Sequence, residues 1–99
     1  MAPESQTLSD SEMGELLREL PDWALEDGKL VRYWTFPGFV QAMDFVSGVA
    51  QLAEQQGHHP DIDIRYNRVK LALVSHDAGG ITRRDAEMAR RLNSAVTGP

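Results

Sequence analysis

The sequence predicts an α+β domain of order αββαββα, a four-stranded antiparallel sheet with three helices packed on one face. Three observations carry this. Residues 61–66 and 69–75 alternate apolar and polar side chains about a short turn, the period of a half-buried strand pair. Residues 37–56 repeat their apolar positions at a helical period. Two hairpins among three helices imply an antiparallel sheet covered on one side. At 99 residues there is room for one core, so residues 1–99 form a single domain, with 1–7 and 97–99 expected to be flexible.

Each element has a local reason. Ser9 followed by Glu12 is a capping-box pattern, and Leu8 can staple against Met13. A helix over 9–20 then buries Met13, Leu16, Leu17 and Leu20, and Pro21 ends it. Trp23 to Leu25 and Lys29 to Phe36 read as strands, joined by the turn residues Glu26-Asp27-Gly28. Pro37-Gly38 breaks the second strand. Phe39, Val40, Met43, Val46, Val49, Ala50 and Ala53 mark the long helix, and Gly57 suits its left-handed end. Pro60 forces His59 towards an extended conformation. Ile62, Ile64 and Tyr66 then alternate with Asp61, Asp63 and Arg65, Asn67 is placed to take the positive φ of the turn, and Val69 to Ser75 is the partner strand. Ala78-Gly79-Gly80 is a loop. Thr82 and Asp85 fit the first and fourth positions of a cap, and Ala86, Ala89, Leu92 and Val96 mark the last helix.

Composition excludes several function classes. There is no cysteine, which removes disulfides, thiol nucleophiles and thiolate metal sites. No apolar run approaches the roughly 20 residues of a membrane span, and the polar, acidic start does not resemble a signal peptide, so a cytoplasmic protein is expected. A net charge of −5 argues against nucleic acid as a partner, because phosphate binding needs a basic surface. The charge is uneven. Residues 1–63 hold 12 of the 15 acids and 3 of the 10 bases, and the surplus of bases falls in residues 64–99. Solvated strand and helix positions account for such a run, and a basic face for an anionic ligand is the sharper alternative.

The chemistry concentrates in Glu54-Gln55-Gln56-Gly57-His58-His59-Pro60. Glu54 and His58 are four apart and share a face if the helical turn persists. Ser75-His76-Asp77 closes the fourth strand, and the hairpin can bring His76 to the same end of the sheet. Imidazole gives and takes protons near neutral pH, so such a cluster suits acid/base chemistry. A metal site would draw on Glu54, His58, His59 and His76. Adjacent histidines seldom chelate one ion, and the helical H-x-x-x-H spacing is absent, so no metal is expected. Gly79-Gly80 could offer N–H groups to an anion, but a tight loop is the plainer reading. Trp23, Phe36, Phe39 and Tyr66 could stack a flat ring and are read as core.

The spaced pattern Glu54, His58-His59-Pro60, Tyr66, His76, Asp85 resembles that of the pterin-4a-carbinolamine dehydratases. The similarity extends to Trp23, Phe36, Phe39, Ala42, Phe45, Asn67 and the helix start at Thr82, from about Leu8 to Leu92. It implies the αββαββα fold, no metal or organic cofactor, a pterin substrate and a homodimer or homotetramer with helices or sheet edges at its contacts. It implies dehydration of a 4a-hydroxytetrahydropterin to the quinonoid dihydropterin. By resemblance His58 and His76 form the acid/base pair, His59 binds or assists, Glu54 holds the pterin or orients a histidine, and Asp85 is structural. Ligand contacts are implied at Gly57, His58, His59, Val74, Ser75, His76 and Asp77. Gly57 and Ile62 depart from members with an acidic residue before the His pair or a tryptophan after the proline, which bears on affinity. A non-catalytic assembly or regulatory protein on the same fold is the competing reading.

Overall fold

A computed structural model describes residues 6–95. The ends expected to be flexible lie outside those residues except for Gln6 and Thr7, as does Val96 of the last helix. The order is α1 (Asp10–Glu19), β1 (Ala24–Glu26), β2 (Lys29–Thr35), α2 (Phe39–Gln56), β3 (Asp61–Arg65), β4 (Arg68–Leu73) and α3 (Arg83–Ala95). The four strands form one antiparallel sheet, β1-β2-β4-β3.

Local chemistry sets the boundaries. Ser9 and Glu12 form a reciprocal capping box: the Ser9 N–H donates to Glu12 Oε1 at 2.8 Å and the Glu12 N–H donates to Ser9 Oγ at 3.1 Å. These bonds hold the Glu12 carboxyl below its ordinary range, the Ser9 backbone bond foremost. Asp27 (φ 51°) and Gly28 (φ 75°) both adopt left-handed backbone, as a two-residue hairpin turn with the right twist requires. Glu26 therefore belongs to β1, opposite Lys29. In the second hairpin the left-handed residue is Tyr66 (φ 53°), not Asn67. Asn67 instead ties the turn to the end of β2: its Nδ2 donates to the Phe36 carbonyl and its own carbonyl accepts from the Phe36 N–H, both at 2.8 Å.

Register assigns the two sheet faces. Leu30↔Leu73, Trp34↔Val69 and Ile64↔Val69 are partners on the helix side, where Leu16, Leu20, Phe45, Val49, Met88 and Leu92 complete the core. Trp23, Trp34, Phe36 and Phe45 pack there in a chain of ring contacts with centroids 4.7–5.8 Å apart. The other face is polar. Lys29 pairs with Asp61 at 3.0 Å, Tyr33 Oη donates to Glu26 at 2.9 Å, and Lys70 lies 3.8 Å from Glu26.

Phe39 and Tyr66, read as core, are corrected. In α2 the buried stripe is Ala42, Phe45, Val49 and Ala53, while Phe39, Val40, Met43 and Ala50 are exposed. The helix has apolar residues on more than one side, and only the stripe that meets β4 and α3 is covered. Phe39 and Tyr66 are thus surface residues, whereas Trp23 and Phe36 are core as expected.

The uneven charge also resolves. Arg90 reaches back to Glu19 with bonds of 2.7 and 3.0 Å, and Lys70 faces Glu26, so bases of the second segment meet acids of the first. The Arg90 bond is the main reason the Glu19 carboxyl lies below its usual range, and Glu19 in turn raises the guanidinium.

Candidate active site

The end of α2, the end of β4 and the start of α3 converge at one end of the sheet. Gly57 terminates α2 at φ 64°, and the His58 N–H closes on the Ala53 carbonyl at 3.2 Å. A Cβ at Gly57 would meet nothing within 4 Å, so a larger residue fits and only the backbone conformation opposes it. Gly57→Ala is expected to cost about 1 kcal/mol, read as a lower urea midpoint at unchanged slope.

The turn at Gly57 sends His58 towards α3. Its Nε2 lies 2.5 Å from Asp85 Oδ1, and the Asp85 side chain is fully buried. Asp85 is the fourth residue of the predicted cap, and that cap is formed. Its Oδ2 accepts from the Thr82 N–H and from Ser75 Oγ, each at 2.8 Å. The bonding order follows from donor counting. Ser75 spends its single hydroxyl proton on Asp85, so Thr82 Oγ1 donates to Ser75 Oγ at 2.8 Å and itself accepts the Arg84 N–H at 3.2 Å. With both oxygens of Asp85 accepting, His58 donates from Nε2, so in the neutral form of the ring the lone pair is on Nδ1.

Asp85 is thus both the cap of α3 and the anchor of His58. The local pattern gives only the first role, and Ser75, where the resemblance implies a ligand contact, is buried and supports Asp85. The signal available was Asp85's place in the spaced pattern; its contact with His58 crosses 27 residues.

The other site candidates fall around this network. Glu54 pairs with His59, not His58: His59 Nε2 is 2.5 Å from Glu54 Oε2, on exposed side chains. The reason is that Gly57 interrupts the helix, so the four-residue spacing no longer places His58 above Glu54. His76 and Asp77 are exposed beyond β4, Val74 is half-buried, and no hydrogen bond links His76 to His58 or His59 among the described residues. Asp77 accepts from Arg84 Nη2 at 2.7 Å, the chief cause of its lowered carboxyl pKa. The Gly79 and Gly80 N–H groups both close on the Ser75 carbonyl, at 3.0 and 3.3 Å, so the loop is bonded to itself rather than open to an anion. No three His, Asp or Glu side chains gather as a metal site among the described residues.

The comparisons agree with this architecture. The family model for pterin 4 alpha carbinolamine dehydratase matches residues 6–95. The chain belongs to that family. A relative from Chloroflexus aurantiacus is 52% identical over 89 residues, covering 90% of this chain and 96% of its own. One from Thermomicrobium roseum is 53% identical over 85 residues, covering 86% and 91%. Both carry the name "Putative pterin-4-alpha-carbinolamine dehydratase". Among solved structures, a transcriptional coactivator/pterin dehydratase from Brucella melitensis superposes with a TM-score of 0.86 at 37% identity, covering 93% of this chain and all of that one. A pterin dehydratase-like protein described as a RuBisCO assembly factor in the alpha-carboxysome shares the fold, with a TM-score of 0.61 over 78% of this chain and 89% of its own, at 20% identity.

Of the three histidines, His58 is the most constrained, held by buried Asp85. His59 and His76 are both exposed.

Proposed function

We propose that this protein dehydrates a 4a-hydroxytetrahydropterin to the quinonoid dihydropterin and water, in pterin recycling, with no metal or organic cofactor. Family membership supports the reaction class. The observation that carries the mechanism is the bond from His58 to buried Asp85.

The reaction moves two protons. The C4a hydroxyl gains one, the C–O bond breaks and water leaves, and a ring nitrogen loses the other. Nothing is oxidised or reduced. An imidazole held by a carboxylate has a fixed orientation and one defined basic nitrogen, which suits general base catalysis. His58 takes that part, and the exposed His76 protonates the hydroxyl. His59, steadied by Glu54, binds or assists. Gly57, Val74, Ser75 and Asp77 frame the pterin, with Ser75 acting through Asp85.

The reading extends to assembly and location. The exposed Phe39, Val40 and Met43 of α2 and the edge strand β3 support a homodimer or homotetramer. Among the described residues no helix is long and apolar enough to cross a membrane, in keeping with a cytoplasmic enzyme, and the net charge of −5 disfavours a nucleic-acid partner. The assembly-factor neighbour shares the fold alone, and retention of three histidines favours the enzyme.

The test is dehydration of chemically generated 4a-hydroxytetrahydropterin, followed by absorbance. The wild-type chain is expected to accelerate it, and His76→Ala to lose about 10²–10⁴ of the rate. A His76→Ala protein as fast as wild type would remove His76 from the mechanism; a wild-type chain with no activity and a stable protein partner would favour the assembly reading.

A further inference from the structure

Two buried hydroxyls stand behind the Asp85–His58 pair, and helix capping accounts for only part of their bonding. Thr82 and Ser75 are 0% and 1% exposed, so each hydroxyl proton has to find its acceptor inside the protein. The cap of α3 uses the Thr82 N–H, which donates to Asp85 Oδ2 at 2.8 Å, and an Oγ1 lone pair, which accepts the Arg84 N–H at 3.2 Å. It leaves the Thr82 hydroxyl proton unused. That proton goes to Ser75 Oγ, 2.8 Å away, and Ser75 in turn donates to Asp85 Oδ2 at 2.8 Å. Were Thr82 not to donate, the Ser75 proton could turn to Thr82 Oγ1 instead, and Asp85 would have one bond fewer. Thr82 therefore reaches the same carboxylate oxygen twice, directly through its backbone and indirectly through Ser75. The ring so closed ties the end of β4 to the start of α3. Backbone bonds hold both sides of it: the Ser75 N–H donates to the Gly80 carbonyl at 3.0 Å, and the Leu8 N–H to the Ile81 carbonyl at 2.9 Å. With Oδ2 gripped in this way, Oδ1 is left to His58 Nε2.

We infer that Thr82 is a positioning residue for the reaction: its hydroxyl, through Ser75 and Asp85, fixes the imidazole of His58 in the orientation and tautomer that handle the substrate's proton. The inference rests on the dehydratase reading for the reaction, and on the hydrogen bonds for the geometry. Buried hydrogen bonds in a chain polarise one another, so a donor two links from the carboxylate strengthens the grip on Oδ2. Partners that orient a metal-bound imidazole matter by about 10–100-fold, and the low end is expected for a link one step further out.

The experiment reads kcat and KM for Thr82→Val, Thr82→Ser, Ser75→Ala and the Thr82→Val/Ser75→Ala double variant, each corrected for its folded fraction. Thr82→Val removes the hydroxyl together with part of the cap. Ser75→Ala breaks the same chain and leaves both cap bonds of Thr82 in place. Each is expected to lower kcat about tenfold with KM little changed. The double variant should be no slower than the slower single one, because both changes cut one chain. Thr82→Ser returns the hydroxyl and should recover most of the rate. Nitrogen NMR of the His58 ring gives a readout that needs no turnover. In the neutral ring, Nε2 should carry the proton in wild type and Thr82→Ser, and share it with Nδ1 in Thr82→Val and Ser75→Ala. If the wild type dehydrates no pterin, that change of tautomer still sustains the positioning of His58, and an unchanged tautomer refutes it. In an active enzyme, full kcat in folded Thr82→Val and Ser75→Ala, a loss confined to KM, or losses that multiply in the double variant would overturn the inference.

Discussion

Asp85→Ala is expected to destabilise the protein by about 3–5 kcal/mol, the range for breaking a buried charged pair by removing one partner. The carboxylate is fully buried and takes hydrogen bonds from His58, Ser75 and the Thr82 backbone. Alanine would strand those donors, and each unsatisfied buried donor costs about 1–3 kcal/mol. It would also remove one half of the α3 cap, leaving the bond from the Arg84 N–H to Thr82 Oγ1. For a domain of this size the melting temperature should fall on the order of 20 °C. Asp85→Asn separates stability from chemistry. Its carbonyl oxygen can serve Ser75 and Thr82, and its amide would then donate to His58 Nε2. That moves the imidazole proton to Nδ1 and removes the free lone pair. The variant should fold and lose most of its dehydration rate, with the altered tautomer visible by nitrogen NMR of the ring. A folded Asp85→Asn protein at full rate would refute the positioning role.

His58→Ala is expected to lower the dehydration rate by about 10²–10⁴, the usual contribution of a positioned acid or base. The side chain is 13% exposed and fills little of the core, so most of the fold should survive its loss. Asp85 would keep two of its donors, and a stability cost of about 1–3 kcal/mol is expected from the missing third. Two readouts distinguish chemistry from packing. The pH–rate profile should lose the limb that reports the base, and added imidazole should restore part of the rate. A variant whose rate falls only in step with its folded fraction would make His58 structural.

Much of this architecture was legible from local patterns because local physics decides it. The Ser9–Glu12 and Thr82–Asp85 caps are three-residue relationships, and both are formed. The alternation of Ile62 and Ile64 with Asp61 and Asp63 specifies which side of β3 continues the face of Leu71 and Val69, its register partners in β4. Asp27-Gly28 requires a left-handed turn, and Gly57 a left-handed helix end. The second hairpin turn was less legible. Asn is the commoner left-handed residue, but Asn67 is held by its bonds to Phe36, and the positive φ passes to Tyr66.

The site divides along the same line. By itself the sequence determined the element order, the three histidines and their fixed spacing with Glu54 and Asp85, and hence the family. Only the tertiary structure decided which partner each histidine takes: His58 with Asp85, His59 with Glu54, and His76 in the open. It also decided which side of α2 is buried and that Arg84 and Arg90 of α3 meet Asp77 and Glu19. The reason is physical. Caps, turns and strand periods depend on residues a few positions apart, whereas a hydrogen bond across 27 residues exists only once α2, β4 and α3 have packed and fixed where their ends meet.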